Sequence, residues 1–403
     1  MRDIVIIGAG PAGLSAAISC REAHLNTLVI DEFPKPGGRL LGQLHQEPTG
    51  EWWNGILETE KLLDRANELK TDIRTEVSVH HIEKIDNGFI VHTNREQIKT
   101  ANVLIATGAA EVPAPIPGWT LPGVMSIGAA QVMTNVHRVK VGEKGIVAGV
   151  NVLSAAIARE MQLANIDLHS MMLPVKNAIT EEAGDPRKVM EGLARIGHLA
   201  PSPFLRFGST FASEKIVQNL VVKFYPKNGF KMWGMPIHIR KAIKQINGTD
   251  KVESVTVVKV DPDGNVIPNT EEIVEVDFVC IAGGLYPLSE LASVAGCPFH
   301  YAEELGGHVP VHNESMETPV DGLYVAGNIT GIESAKVAAR QGTVAGLSIA
   351  KKYAQNKADI TFQLEVAKDL VKQTRDDASI QFHPNIREGR KKVHNAFNEQ
   401  VKP

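Results

Sequence analysis

The chain has 403 residues, with 42 Lys and Arg against 46 Asp and Glu, a formal charge of -4 and 43% hydrophobic residues. That length accommodates two ordinary domains with substantial cores, and charges so interspersed create no one-signed field of the kind that draws nucleic acid or anionic lipid. The three cysteines, Cys20, Cys280 and Cys297, form no CxxC pair, metal-spaced cluster or disulfide framework, as expected of a reducing, cytoplasmic compartment, and no stretch is long and apolar enough to span a membrane.

Asp3 to Ile7 is a short apolar run, followed by glycines, a helical stretch Leu14 to Glu22, and a second apolar run Thr27 to Ile30. The opening run could pass for a signal peptide, but Gly8, Gly10, Pro11 and Gly13 interrupt it. Gly8-Ala9-Gly10-Pro11-Ala12-Gly13 between strand and helix is a dinucleotide fingerprint. Gly8 allows the tight turn, Gly10 lets main chain approach a pyrophosphate without a Cβ, and Gly13 lets helix pack on strand. The pyrophosphate is expected at the helix N-terminus. Asp31 closes the second strand about 20 residues on, where a carboxylate can accept from ribose hydroxyls.

Glu111 to Pro122 carries Pro113, Pro115, Pro117 and Pro122, which suits a crossing between domains. A second unit follows, with Gly145 to Val147, Gly149, a helix Ala155 to Leu163 and a strand Asp167 to Met172. Its turn reads Gly149-Val150-Asn151-Val152-Leu153-Ser154, so Asn151 puts a Cβ where phosphate would rest and Ser154 replaces the packing glycine. The next strand ends at His169-Ser170 with neither a carboxylate for ribose nor an arginine for a 2'-phosphate. Tight NAD(P) binding is not expected there; the unit binds another nucleotide or serves as a scaffold.

Two later apolar strands, Asp277 to Ala282 and Gly322 to Ala326, with Gly327 and a helix from Glu333, should return the chain to the first domain and make it discontinuous. The tail after Ala354 has an amphipathic segment, Phe362 to Val371, and a basic end, Arg387 to Lys392; it reads as a peripheral appendage suited to a subunit contact. His80, His81, His137, His169, His198 and His383 lack metal-ligand spacing, and Arg187, Lys188, Arg195 and Arg206 lack the aromatic interleaving of a nucleic-acid site. No metal is expected. Trp52-Trp53 either covers a ligand or partner or packs in the ordinary way.

Gly8 to Gly13, Asp31, Gly37-Gly38, Ala106-Thr107-Gly108 and Val325-Ala326-Gly327-Asn328 together resemble the two-dinucleotide-domain flavoproteins of the thioredoxin reductase and disulfide reductase superfamily, over about residues 1 to 350. The resemblance implies an α/β fold of two Rossmann-like three-layer domains in a thioredoxin-reductase-like architecture. Residues 1–112 and 286–352 would form the FAD-binding domain, 113–285 an inserted NAD(P)-binding-like domain, and 353–403 a helical tail. It further implies that Gly8, Gly10, Pro11, Ala12 and Gly13, with Asp31 and Glu32, hold the ADP half of FAD, that Gly38 and Arg39 lie along the cofactor, and that Val79 lies near the adenine. Ala106, Thr107 and Gly108 mark the exit to the second domain, Gly327 and Asn328 meet the ribitol, and Ala335 and Lys336 lie beside the flavin ring. Where the superfamily usually has Gly-Asp this chain has Gly327-Asn328, still able to hydrogen-bond a hydroxyl but with less negative charge.

Disulfide reductases need paired cysteines beside the flavin, and their absence excludes that chemistry here. Gly283 to Leu291, Gly296-Cys297, Gly307 to Val311 and Asn328 to Gly331 are similar to the alpha subunits of heteromeric flavin dehydrogenases, the group of opine oxidase, hydrogen cyanide synthase, proline and hydroxyproline dehydrogenases and part of sarcosine oxidase. This narrower resemblance implies an FAD-containing, amine-oxidase-like beta subunit that oxidises a small amino or imino acid, with this chain relaying electrons in a hetero- or homo-oligomer. No cysteine occurs from Gln355 to Pro403, so any iron–sulfur cluster is expected on another polypeptide. Two other readings stay open: a stand-alone NAD(P)H-dependent flavin reductase, and a flavin-bound scaffold or sensor.

Overall fold

The computed structural model describes residues 1–47, 50–195, 215–378 and 381–401; His198 and Arg206 lie outside the described residues. The chain divides into two compact units, one made of Met1–Leu41, Asn54–Ala110 and Leu285–Pro403, the other of Gly42–Trp53 and Glu111–Gly284.

The first unit is built on a parallel sheet in the order Asp72–Arg74, Thr27–Ile30, Arg2–Ile7, Gln97–Ile105, with Leu323–Val325 completing it against the end of Gln97–Ile105. An antiparallel meander, Gly88–Thr93 and Val79–Ile85, branches from the start of Gln97–Ile105. Strand residues alternate between two buried faces. Ile4 and Ile6 enter a core with Leu14, Val344 and Ile349, whereas Val5 and Ile7 enter another with Leu28, Phe89 and Val91.

Two helices, Pro11–Glu22 and Ala335–Tyr353, cover the first of these faces and approach each other through small residues. A Cβ on Gly342 would stand 2.0 Å from the Ala12 carbonyl oxygen, and one on Gly346 would stand 2.6 Å from that of Ala16. The backbones are thus in contact with no room for a side chain between them.

The tail is not peripheral. Helix Lys357–Asp376 buries Leu364, Ala367 and Val371 in the first core, leaving Phe362 69% exposed. Helix Ile386–Gln400 buries Ile386 and Val393 against Ala302, Leu305 and Val309, and within the basic stretch Arg390 is buried. The sequence shows an amphipathic stripe but gives no sign that the last helix would also carry a buried guanidinium.

The second unit has an eight-stranded sheet in the order Val124–Ser126, Phe278–Ile281, Lys144–Ala148, Asp167–Pro174, Met235–Asn247, Ser254–Lys259 and Glu272–Glu275, with Phe230–Met232 pairing alongside Met235–Asn247. Pairing is parallel from Val124–Ser126 through Met235–Asn247 and antiparallel beyond it. Residues 42–53, placed in the first domain by sequence, cluster here for a definite reason. Glu160 on helix Val152–Leu163 is buried and accepts from the Leu44 N–H at 3.1 Å, Gln131 Nε2 at 2.9 Å and Asn135 Nδ2 at 2.7 Å, while Asn135 also donates to the Gly42 carbonyl. Trp53 donates to Gln43 in this segment, and Trp52 is 54% exposed. Among the described residues no helix is long and apolar enough to cross a membrane.

Substituting Gly342→Ala should lower stability by about 2 kcal/mol, because two backbones must move apart. Gly192→Ala, on a helix where the new Cβ meets nothing within 4 Å, should stabilise by about 0.5 kcal/mol. Urea denaturation of both variants checks this; equal midpoints would refute the close packing. Burial pushes the Glu160 carboxyl up to about 7 despite hydrogen bonds from Gln131, Leu44 and Asn135. A carboxyl raised on folding contributes stability that is full below its unfolded value of about 4.3 and lost as pH rises through about 7. The stability of wild type relative to Glu160→Gln should therefore fall between about pH 5 and about pH 8. A constant difference across that window would mean that Glu160 is ionised throughout.

Candidate functional site

Parallel pairing brings Ile7 level with Ile30 and Ile105, and Ile105 level with Val325. The residues after these strand ends, Gly8, Asp31, Ala106 and Ala326, therefore share the carboxyl edge of one sheet, where open α/β sheets bind ligands. Gly8 has φ +105°, and a Cβ there would lie 2.4 Å from the Ala106 carbonyl oxygen. A Cβ on buried Gly13 would lie 1.8 Å from the Gly8 carbonyl oxygen.

Gly10 is different. Its φ of -74° is open to any residue, and no protein atom lies within 4 Å of where its Cβ would be. It caps helix Pro11–Glu22 without a side-chain hydrogen bond, and half-buried Pro11 and buried Ala12 come next, at the helix start. The space beside Gly10, at the positive end of a helix with no side-chain cap, fits an anionic diphosphate. Gly38, at φ +56°, closes over this turn with its Cβ position 3.2 Å from the Gly10 Cα, and Gly37 N–H donates to the Ala9 carbonyl at 2.8 Å. Arg39 is exposed and its Nε donates to the Ala109 carbonyl at 3.1 Å.

Asp31 is buried, with one oxygen accepting from Ala9 N–H at 2.6 Å and the other from Phe33 N–H at 2.9 Å. Burial raises its pKa, and the two main-chain hydrogen bonds lower it only in part. Asp31 therefore ties the glycine turn to the next loop, and Glu32 beside it is exposed. A cavity of about 340 Å³ lined by Arg74, Thr75, Glu76, Val77, Arg95 and Glu96 opens nearby. It is linked to Asp31 by two main-chain bonds, Asp31 N–H to the Arg74 carbonyl and Val77 N–H to the Asp31 carbonyl. Val79 packs against the core two residues along from this cavity. Val77 lines the cavity itself.

At the other end of the edge, Ala106 is buried, Thr107 Oγ1 donates to the Leu288 carbonyl at 2.5 Å, and Gly108 has φ +78° with nothing within 4 Å of its Cβ position. Gly327 N–H donates to Gln341 Oε1 at 2.9 Å, and Asn328 Oδ1 accepts from Glu333 N–H at 3.2 Å, which shapes the loop into helix Ala335–Tyr353. Ala335 opens that helix half-buried and Lys336 is exposed in its first turn. Gln341, Glu333 and the arginines that grip Glu333 lie outside every motif and are not foreseeable from sequence.

The second unit repeats the turn but not its opening. Gly149 has φ +121° with its Cβ position 2.2 Å from the Ala282 carbonyl oxygen, matching Gly8 and Ala106. Asn151 then caps helix Val152–Leu163 with its side chain, accepting from Ser154 N–H at 2.9 Å while Ser154 Oγ accepts from Asn151 N–H at 2.9 Å; Asn151 Nδ2 donates to the Ala282 carbonyl at 3.0 Å. Two of the donors a phosphate would use, the Asn151 and Ser154 N–H groups, are taken up by a capping box. The strand that follows also runs past His169-Ser170, to Pro174. Gly149 N–H donates to the Met172 carbonyl as Gly8 N–H does to that of Ile30, so the counterparts of Asp31 and Glu32 are Leu173 and Pro174. His169-Ser170 lies within the strand, whose extra length the polar pair conceals in sequence. No carboxylate stands at the ribose position.

All three cysteines are free and buried, and burial pushes Cys20 and Cys297 up to about 12 and Cys280 higher still. None is a thiolate near neutral pH. Among the described residues no cluster of His, Cys, Asp or Glu could hold a metal ion.

Residues 2–164 and 223–342 match the family model described as pyridine nucleotide-disulphide oxidoreductase. The A subunit of opine oxidase from Agrobacterium tumefaciens is 24% identical over 362 residues, covering 86% of this chain and 65% of the relative. Its counterpart from Rhizobium meliloti is 25% identical, with 86% and 62% covered. The chain thus spans a little under two thirds of the length of these relatives. Hydrogen cyanide synthase subunit HcnB of Pseudomonas aeruginosa is 24% identical, with 86% and 70% covered. Two solved structures share the fold. L-proline dehydrogenase from P. horikoshii has a TM-score of 0.63 at 21% identity, covering 91% of this chain and 58% of that one. T. acidophilum thioredoxin reductase has a TM-score of 0.59 at 20% identity, covering 87% and 98%.

The variant Gly10→Val should fold as wild type does, since its side chain enters open space, yet lose FAD binding by about a hundredfold or more as it fills the cradle. Thermal unfolding of the apoprotein and a fluorescence titration with FAD measure the two effects separately; undiminished binding would place the cofactor elsewhere.

Proposed function

The chain belongs to the pyridine nucleotide-disulphide oxidoreductase family and is an FAD-dependent oxidoreductase, and from that premise we propose that it is the electron-transferring subunit of a heteromeric amino- or imino-acid dehydrogenase. The contrast between the two glycine turns carries this reading. The first leaves its helix N-terminus open to a diphosphate, whereas Asn151 and Ser154 close the second. A chain that keeps a flavin cradle, caps its second nucleotide turn and holds every thiol buried and protonated has neither the usual pyridine-nucleotide donor site nor a disulfide acceptor. On this reading its electrons arrive from, or leave to, a partner. The relatives point the same way, since the A subunit of opine oxidase and HcnB are each named as one subunit of an enzyme.

On this reading the N–H groups after Gly10 bind the diphosphate and Asp31 fixes the turn that presents them. Exposed Glu32 accepts from the ribose, Val77 and its neighbours take the adenine, and Gly327 with Asn328 lies along the ribitol. FAD, when bound, supplies the two-electron redox chemistry; the chain binds, orients and shields it. The partner is an FAD-containing, amine-oxidase-like subunit that oxidises a small amino or imino acid in the cytoplasm.

Stopped-flow absorbance of the visible flavin band tests this. NADH or NADPH alone should bleach the FAD-loaded chain slowly, whereas an amino- or imino-acid substrate should bleach it quickly once the co-expressed partner is present. Fast bleaching by either nicotinamide alone would overturn the reading and establish a stand-alone flavin reductase.

A further inference from the structure

The tail arginines converge on the loop assigned to the flavin end. Glu333, at the end of the loop Gly327–Glu333, is buried and paired with Arg375 from helix Lys357–Asp376 and Arg390 from helix Ile386–Gln400. Arg375 Nη2 donates to Glu333 at 3.1 Å and Arg390 Nη2 at 2.5 Å. Arg390 Nη1 also donates to the Thr330 carbonyl at 2.6 Å and to His312 Nε2 at 3.3 Å, and the other ring nitrogen of His312 bonds to the Pro310 carbonyl at 2.7 Å. Glu333 in turn accepts from Gln341 Nε2 at 3.4 Å, and Gln341 Oε1 holds both Gly327 N–H and Thr330 Oγ1. A continuous chain of hydrogen bonds therefore runs from the tail to Gly327.

Three features argue that this network does more than hold the tail down. Burying a guanidinium is costly, and a well-packed apolar side chain would join the helices at least as well. Arg390 is 5% exposed, and its Nε finds no partner among the described residues, so the site is not optimised for stability alone. Burial by itself would push the Glu333 carboxyl up, yet Arg390 and Arg375 outweigh it and hold the carboxyl below its ordinary value. One buried carboxylate against two guanidiniums leaves an excess positive charge behind the loop.

We propose that Arg375 and Arg390 are positioning residues for the flavin, fixing the loop Gly327–Glu333 through Glu333 and Gln341 and lending a positive field to that end of the cofactor site. The proposal rests on the reading that FAD lies along the carboxyl edge of the first unit. A positive field favours the reduced, anionic form of a bound flavin, so removing a guanidinium lowers its midpoint potential.

The test uses the full chain loaded with FAD and measures the dissociation constant by fluorescence and the midpoint potential by equilibration with a reference dye. Arg390→Met should weaken FAD by about tenfold, as expected for lost charge-assisted hydrogen bonds, and move the potential to a more negative value. Arg390→Lys should recover most of the potential but not all of the affinity. Arg375→Gln, at a less buried position, provides a folded variant if Arg390→Met does not accumulate, and should show smaller shifts in the same directions. Folded Arg375→Gln and Arg390→Lys proteins that match wild type in both affinity and potential would overturn the proposal, even with Gly10→Val losing FAD as expected. Should Gly10→Val bind FAD normally, the cradle reading and this proposal would fall together.

Discussion

A helix that begins at Gly10 with no side chain capping its first N–H groups is the constraint on which the rest of the first unit depends. Such groups are expensive to leave unmatched in a folded protein unless water or an anion takes them up. Almost every close contact around Gly10 keeps them open. Gly8 and Gly13 let the turn collapse onto the strand, Asp31 holds the Ala9 N–H, and Gly38 approaches without a side chain in the way. The second unit shows the result of relaxing that constraint. The same turn, with the same positive φ at its leading glycine, closes on itself as soon as a side chain is available to cap it.

How much of this can be read from residues alone depends on the range of the interaction. The strand, turn and helix around Gly8 to Gly13 are local, and each glycine there answers a steric need that sequence states directly. The departure at Asn151 is equally local, although the capping box that gives it meaning needs Ser154 in the helical register. The end of strand Asp167–Pro174 is misplaced by sequence because polar His169 and Ser170 look like a boundary, while the strand's length is set by pairing with Lys144–Ala148 and Met235–Asn247. The clustering of residues 42–53 with the second unit is non-local in the same way, since Glu160, more than a hundred residues away, accepts from Leu44 and Asn135 donates to Gly42.

The roles of acidic residues illustrate the same limit. Asp31 sits where a ribose-binding carboxylate is expected, yet both of its oxygens serve the main chain and Glu32 is the one exposed. Glu333 has no motif at all, and only the fold reveals that it lies between two guanidiniums. Residue type and spacing report which groups are present; tertiary pairing decides which of them remain free to meet a ligand.

The first unit is assembled from three stretches of chain, and Leu323–Val325 completes its parallel sheet against a strand made more than two hundred residues earlier. Contacts of such long sequence separation close slowly, after the entropy of an intervening loop has been overcome. During vectorial synthesis the last strand, the helix Ala335–Tyr353 and the two tail arginines all emerge late. The interrupted unit therefore exists as an incomplete sheet with an exposed edge until these segments have been made, and this chain should lean on chaperones during its maturation.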